Sequence, residues 1–254
     1  MEGMYNILQS QGLERLPNHR HTPFRMHLFE VMGVMDMPTF TVGRQRPSIG
    51  VWRKYCRNTG ARGEDVEQVS GLPRSLLDIF SGIGAGTTEE TFLDWPGEPG
   101  TFLQCHLWEA FRLAGVLACR KQSPSSPETT PAGTTATRPQ QRFPRTDVLV
   151  MRILASLDAL RRECAEPREQ DRGTLILNAT EYPIFMVGVA GLEVVNRNPD
   201  MKKTLRESLD DRYRGESEGQ SRIVMELLEQ LWESGTGSDV NQLVQRRGLE
   251  LGLF

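Results

Sequence analysis

Cysteine is scarce in this sequence and poorly spaced for metal binding or disulfide exchange. Its four cysteines lie 49, 14 and 45 residues apart, at Cys56, Cys105, Cys119 and Cys164. Structural zinc sites and thioredoxin-like centres both depend on closely spaced Cys-x-x-Cys pairs, and none occurs here. The spacing therefore excludes a zinc ribbon and a thioredoxin-like motif, and we expect free thiols in a reducing compartment.

The sequence also lacks a long apolar run and an excess of positive charge. Its longest uncharged apolar stretch, Tyr182 to Leu192, is too short to cross a bilayer, and no basic region followed by an apolar run stands at the start. The net charge of −3 over 254 residues gives no general attraction for nucleic-acid phosphates. We expect a soluble, intracellular protein without membrane contact, whose DNA contacts would require a local patch or a partner.

Composition divides the chain into four parts. Residues 1–21 form an N-terminal extension, and residues 121–144 are crowded with Ser, Thr, Pro and Gln around one large apolar residue, Phe143. Such a segment cannot bury enough apolar surface to offset the entropy of ordering it, which predicts a disordered linker. We expect the two remaining parts, residues 22–120 and 145–254, to be the helical halves of one domain.

Helical periodicity dominates both halves. Apolar residues recur every three or four positions after helix-start signals at Thr101 with Gln104, Asn198 with Pro199, Ser217 with Gln220, and Ser238. Residues 183–195 are apolar on nearly every side, so we expect a helix buried all round, although a buried strand is compatible with the same run. Strand and helix units do not alternate anywhere, and the sequence therefore predicts an all-α fold.

The stretch from Ser70 to Pro96 supports two incompatible interpretations. Leu76 to Phe80, followed by a glycine-rich loop, resembles the first motif of adenosylmethionine-dependent methyltransferases, above all the DNA cytosine type. Glycines in such a loop let backbone N–H groups approach the cofactor, which would then lie against Asp78 to Gly86. That interpretation would make the protein an enzyme.

The helical interpretation of this stretch requires no further structural elements elsewhere in the chain. A helix would begin near Pro73 and stop at Gly82 and Gly84, and Thr87 with Glu90 would form the capping box of the next helix. A methyltransferase sheet needs further strands at βαβ spacing, and none follow. No Pro-Cys dipeptide is present to supply a cytosine-attacking thiolate. We favour the two helices, with the methyltransferase as the alternative.

A basic segment with aromatic residues is the next candidate site. Arginine and lysine side chains recur from Arg44 to Arg62 without an acidic residue, and Trp52 and Tyr55 lie among them. Such a segment suits phosphate contact and base stacking. We favour a solvated loop and helix start, in which the two aromatic side chains turn into the core.

Histidines and serines offer weaker candidates. His19, His21 and His27 have no cysteine or carboxylate at ligand spacing between them, so we expect exposed side chains rather than a metal site. A nucleophilic triad could be combined from three serines, a histidine and an aspartate, namely Ser70, Ser75, Ser81, His106 and Asp94. No G-x-S-x-G elbow occurs, so the sequence pattern does not support such a triad. The sequence thus predicts no catalytic, cofactor-binding or metal-binding residue.

Several motifs resemble the regulatory domain of fungal-specific transcription factors. The runs His27 to Pro38, HLFEVMGVMDMP, and Gly71 to Asp78, GLPRSLLD, carry the resemblance, and Leu107 to Arg112, Tyr182 to Gly188 and Arg247 to Phe254 fit it as well. The similarity spans residues 22–254, interrupted by the linker. The similar branch is that of the acriflavine sensitivity control protein and the trichothecene-cluster regulators.

The resemblance implies an all-helical regulatory domain that acts in the nucleus and has no catalytic site. Its implied role is control of a secondary-metabolite gene cluster, through contact with other transcription regulators or coactivators or through ligand sensing, as a homo- or heterodimer. In that family an amino-terminal cluster of six cysteines often binds two zinc ions and contacts DNA. None of the four cysteines here has that spacing, so direct DNA binding is not implied for this chain.

Overall fold

Helices form most of the described part of this protein. The computed structural model describes Asn6 and residues 23–57, 66–122, 143–165, 179–210, 218–235 and 239–253. The helices in these ranges confirm the all-α class, and they are α1 Pro23–Met35, α2 Arg74–Phe80, α3 Glu89–Leu93, α4 Phe102–Gln122, α5 Thr146–Ala165, α6 Glu181–Ala190, α7 Leu192–Arg197, α8 Pro199–Asp210, α9 Glu218–Ser234 and α10 Val240–Arg246. A π-helical turn, Trp52–Cys56, follows α1.

One small β-ladder joins the beginning and the end of the described chain. Strands β1, Thr41–Val42, and β2, Leu251–Gly252, pair antiparallel. The Leu253 N–H extends the ladder by donating to the Phe40 carbonyl at 2.8 Å. The sequence analysis did not predict this pair, because two residues are too few to display the alternating pattern of a strand.

Two predicted helix starts are confirmed by their hydrogen bonds. At α4 the Thr101 N–H donates to Gln104 Oε1 at 2.8 Å, and the Gln104 N–H donates to Thr101 Oγ1 at 3.2 Å. At α8 the Asp200 N–H donates to Asn198 Oδ1 at 3.1 Å. Both arrangements satisfy donors that the first turn of a helix leaves free.

The stretch from Ser70 to Pro96 forms helices α2 and α3 joined by a glycine turn. Leu76 to Phe80 is helical, so these residues do not form the strand that a methyltransferase motif requires. Gly84 and Gly86 have φ values of 78° and 113°, in the left-handed region that favours glycine. The helical interpretation of this stretch is therefore confirmed.

The cap of α3 differs from the predicted one by a single residue. Thr88 and Thr91 form the capping box, rather than Thr87 and Glu90. The Thr87 hydroxyl instead donates to the Ile79 carbonyl at 3.1 Å and closes the glycine turn. Adjacent threonines cap equally well, so the sequence alone does not decide which one does.

The cap of the last helix is an aspartate. Asp239 precedes α10, and its Oδ1 accepts from the Asn241 N–H at 2.9 Å. Ser238, the predicted cap, lies outside the described residues, and so does Ser217 at the predicted start of α9.

The apolar run at 183–195 forms two helices rather than one, and only the first of them is buried on every side. Helix α6 begins two residues earlier than expected and is buried on every side through Val189, while α7 begins after Gly191. A Cβ on Gly188 would clash with Leu228, and one on Gly191 would clash with the Val187 carbonyl oxygen. The two glycines therefore let neighbouring groups approach closely, as the run suggested. The alternative of a buried strand is wrong here.

The predicted terminal and linker segments fall largely outside the described residues. The extension at 1–21 has only Asn6 within them, and of the linker at 121–144 the structure describes residues 121, 122, 143 and 144. Lys121 and Gln122 continue α4 for two residues past the predicted boundary. No helix in the described part of the chain has both the length and the apolar character needed to span a bilayer.

Aromatic side chains from both halves meet at the centre of the core. Phe40 lies 4.9 Å from Phe80 and 4.7 Å from Tyr182, measured between ring centroids. Tyr182 stacks on Phe111 at 5.4 Å. Phe92 extends the group, at 4.9 Å from Phe80. The predicted halves therefore contribute to one shared hydrophobic core.

A buried carboxylate holds the loop that leads from α1 to the π-helical turn. The side chain of Asp36 is 2% exposed and pairs with Arg44 at 2.8 Å. It also accepts the Ser48 hydroxyl at 3.0 Å and three consecutive backbone N–H groups, those of residues 49, 50 and 51, at 3.0, 2.7 and 3.0 Å. These donors replace the water that the carboxylate loses on burial.

We expect Asp36→Asn to destabilise the protein by about 3–5 kcal/mol, because the change removes a buried charge and turns an acceptor into a donor facing other donors. Urea unfolding followed by circular dichroism measures the loss. The matched control is Glu207→Gln, which breaks an exposed ion pair with Lys203 at 3.8 Å and should cost less than about 1 kcal/mol. Equal midpoints for the two variants would contradict the role of Asp36.

Candidate functional site

An open cavity lies where five helices meet. A cavity of about 760 Å³ opens between the start of α3, the end of α4, the start of α5 and the α7–α8 connection. A second cavity, of about 590 Å³, adjoins it and shares Arg120, Thr146 and Val194. We call the larger cavity the junction groove. Its size falls in the range of small-molecule sites in proteins.

Arg120, near the end of α4, holds the walls of the junction groove together. Its guanidinium pairs with Glu89 of α3 at 2.8 Å. It also donates to Thr146 Oγ1 at 3.1 Å and to the Pro144 carbonyl at 2.6 Å. One planar group thus connects three segments with fixed geometry. Most of its donors are committed to the protein, so Arg120 shapes the groove.

Two further arginines line the junction groove with their side chains largely in water. Arg145 pairs with Asp147 at 2.9 Å and is 67% exposed. Arg197, at the end of α7, pairs with Glu193 at 3.4 Å and is 81% exposed. Exposed pairs of this kind contribute little stability and exchange partners readily. Both guanidinium groups are therefore available to an incoming acceptor.

The backbone adds to the positive character of the junction groove. Thr146 is the first residue of α5, Asn198 caps α8, and both line the groove. The N-terminal end of a helix carries a partial positive charge of about half a unit. Val194 and Met201 supply apolar surface between these polar groups. The arrangement suits recognition of a molecule that combines negative charge with an apolar part.

The methyltransferase candidate residues have structural partners. Asp78 lies on α2 and accepts the Trp52 Nε1–H at 2.7 Å. Gly82 stands at the start of the turn, where a Cβ would clash with the Thr87 hydroxyl. This aspartate therefore fixes the orientation of a core tryptophan, and the glycine accommodates the packing of the turn.

The basic segment turns its aromatic residues inward, as we favoured. Trp52 is 2% exposed, and Tyr55 stacks on Phe29 with ring centroids 4.6 Å apart. Arg44 is held by Asp36. Arg62 lies outside the described residues. Trp52 and one face of the partly buried Tyr55 are thus covered by the protein.

The histidine candidates show no metal site within the described ranges. His27 is exposed on α1, and His19 and His21 lie outside those ranges. Among the described His, Cys, Asp and Glu side chains, no group of three or more is arranged to hold a metal ion.

Each candidate serine hydroxyl already donates to an oxygen nearby. Ser70 donates to Glu67 at 2.8 Å, Ser75 to Glu98 at 2.9 Å, and Ser81 to the Asp78 carbonyl at 2.7 Å. His106 packs edge-on against Phe102 at the start of α4. The structure therefore does not assemble a serine–histidine pair from these residues.

The four cysteines all lie in the described ranges, and this structure contains no disulfide between them. Burial, together with the nearby Glu89 carboxylate, raises the pKa of the Cys119 thiol to about 11. Burial also raises the pKa of Cys56 far above its usual range. Both groups are protonated at neutral pH and are poor nucleophiles. Cys105 is exposed and Cys164 partly so.

The sequence analysis did not identify the junction groove. Asn198 is predicted only as a helix start, Thr146 lies in a helical pattern that begins at Arg145, and Arg120 is one of many charged helix residues. Their convergence depends on how α4, α5 and α8 pack together. The single available signal was the coincidence of arginines with helix ends at Arg145 and Arg197.

Comparison with known proteins does not add a family assignment. No protein-family model matches the chain, and no curated protein or solved structure shows significant similarity to it. The functional conclusion therefore rests on the fold, the junction groove and the motif resemblance.

Thiol labelling tests the burial of the cysteines. In the variant Cys105→Ser/Cys164→Ser, only the two buried thiols remain among the four cysteines. We expect no reaction with Ellman's reagent during the time in which the unaltered protein is labelled, because both thiols are shielded and protonated. The same variant in denaturing urea should release two thiols per chain and serves as the control. Rapid labelling without urea would contradict the core packing.

Proposed function

We propose that this chain is a regulatory domain of a fungal transcription regulator, and that it senses a ligand or contacts partner proteins through the junction groove. Its site of action would be the nucleus, and its partners would be other transcription regulators or coactivators, in a homo- or heterodimer. Genes of a secondary-metabolite cluster are the proposed targets. Catalysis and direct DNA binding are not part of the proposal.

The observation that carries this proposal is a groove between helices of an all-α domain. The groove offers exposed arginines, helix N-termini and apolar surface, which are means of recognition. Ligand sites between helices are common in all-helical proteins. A groove formed by several helix ends also suits signalling, because a ligand there contacts elements that are distant in sequence.

The positions of the resembling motifs agree with this proposal. The run from His27 to Pro38 contains α1 and the buried Asp36, and Gly71 to Asp78 leads into α2. Leu107 to Arg112 and Tyr182 to Gly188 contribute Phe111 and Tyr182 to the central aromatic group. The motifs therefore lie in parts of the chain that determine the fold, as expected for a family defined by its scaffold.

The reporter test uses the full chain fused to a heterologous DNA-binding domain in fungal cells. We expect the fusion to raise or lower transcription of the reporter by at least about threefold relative to the DNA-binding domain alone. Val194→Trp should weaken that effect, because the larger side chain obstructs the place where the two cavities adjoin.

The matched control for the reporter test is Ala155→Trp, which adds the same side chain at an exposed position of α5. It should leave reporter output unchanged. A fusion that behaves like the DNA-binding domain alone, at equal protein levels, would refute the regulatory proposal. Equal losses for both tryptophan variants would remove the groove from it.

The alternative enzyme class has a direct test. Because Leu76 to Phe80 is helical, we expect no heat of binding when adenosylmethionine is titrated into the protein at micromolar concentrations. Micromolar binding that disappears in Gly84→Asp would overturn our choice and restore the methyltransferase. Adenosine, titrated in parallel, controls for binding by the nucleoside alone.

A further inference from the structure

We propose that the junction groove binds a small organic anion with an apolar body. Its charged group would lie between Arg145 and Arg197, and its body would cover Val194 and Met201. The inference deepens the proposed function, on which it rests, by naming the class of ligand that the domain would sense. Its test uses binding alone and is therefore independent of transcription.

The charges that line the junction groove favour an anion. Three arginines face it, Arg120, Arg145 and Arg197, against two carboxylates, Glu89 and Asp147. Glu89 is engaged by Arg120 through two of its donors, Nε at 2.9 Å and Nη2 at 2.8 Å. The side chains that line the groove therefore carry one net positive charge, and Lys121 and Glu193 of the adjoining cavity cancel each other. Three helices, α3, α5 and α8, begin at the groove and two, α4 and α7, end there, so the helix ends also favour an anion.

The arginines divide into one that builds the groove and two that can receive a ligand. Arg120 donates to two different segments, at Glu89 and at residues 144–146, and is 24% exposed. The pairs of Arg145 and Arg197 are formed within their own segments and stay in water. A carboxylate, sulfonate or phosphate can replace these weak pairs with charge-assisted hydrogen bonds, which are stronger and often bidentate.

The shape of the groove sets the size of the ligand. A volume of about 760 Å³ holds a molecule with roughly the dimensions of two fused aromatic rings and a side group. Val194 also lines the adjoining cavity, where Ala190 and Leu192 provide further apolar contact. The apolar part of the ligand can extend in that direction, away from Arg145 and Arg197.

The probe is 8-anilinonaphthalene-1-sulfonate, an apolar anion whose fluorescence rises on binding. N-phenyl-1-naphthylamine has the same ring system without the sulfonate and serves as the neutral match. We expect the anion to bind the folded full chain at least about tenfold more tightly than the neutral compound, the difference that charge-assisted hydrogen bonds supply. Equal affinities for the two compounds would overturn the proposal.

Two double variants locate the site. Arg145→Gln/Arg197→Gln removes both groove charges and should weaken anion binding about tenfold. Arg161→Gln/Arg162→Gln removes two exposed arginines that pair with Asp158 farther along α5, and should change the affinity by less than about twofold. Both doubles alter exposed side chains only, so both should fold, as circular dichroism will verify. Equal losses in the two doubles would refute the site.

The two levels of the proposal fail in different ways. Anion binding that depends on Arg145 and Arg197, in a chain without effect on the reporter, would retain the site and remove the transcriptional role. Reporter regulation in a chain that binds the anion no better than the neutral compound would retain the regulator and refute the anionic ligand.

Discussion

The contact between Tyr182 and Phe111 is the interaction on which the two halves of this domain depend. The rings stack at 5.4 Å with an interplanar angle of 25°, each completely buried. Such a pair contributes about 0.5–1.5 kcal/mol beyond the area that it buries. The Tyr182 hydroxyl donates to Thr39 Oγ1 at 3.1 Å, which ties the pair to the segment before β1. Burial raises the pKa of Tyr182 well above its usual range, so the phenol stays neutral and the contact does not depend on physiological pH. Because the two rings stack, α4 and α6, which lie far apart in sequence, share one core.

The position of the junction groove follows from that contact. Phe111 is near the middle of α4, and Arg120 lies nine residues farther along the same helix, where it meets Glu89 and the start of α5. Tyr182 is in the first turn of α6, which leads through Gly191 into α7 and Arg197. The aromatic pair thus holds the middle of α4 against the start of α6, and the groove forms where the C-terminal ends of α4 and α7 converge. A ligand at that point would contact helix ends from both halves, which is how a small molecule can change the balance between two arrangements of a domain.

Much of this fold could be predicted from the sequence, and the remainder has identifiable physical reasons. Helices α4, α5, α8 and α9 carry strong apolar periodicity, and the caps at Thr101 and Asn198 follow from local chemistry alone. The β-ladder and the Asp36 loop were not predicted, because both depend on groups that are distant in sequence or on backbone donors that no pattern marks. The groove was not predicted for the same reason. No sequence pattern distinguishes Arg120, Arg145 and Arg197 from other charged residues, and only the packing of the helices brings them together.

The charged side chains of this domain include buried carboxylates that hold the fold and exposed arginines whose ion pairs can exchange partners. The carboxylates that are buried within the described ranges are Asp36, Glu67 and Glu181, and each accepts hydrogen bonds from the protein. Asp36 holds a loop, Glu67 holds the turn at Val69 and Ser70, and Glu181 accepts the Ser221 hydroxyl at 2.6 Å and so joins α6 to α9. A group with all its acceptors engaged is a poor general base, because a reacting proton would compete with several fixed donors. The exchangeable charges stand instead at the rim of the junction groove, on Arg145 and Arg197. Guanidinium groups in such a position suit the anion recognition that we propose for the groove, because they can exchange a weak pair in water for charge-assisted hydrogen bonds to a ligand.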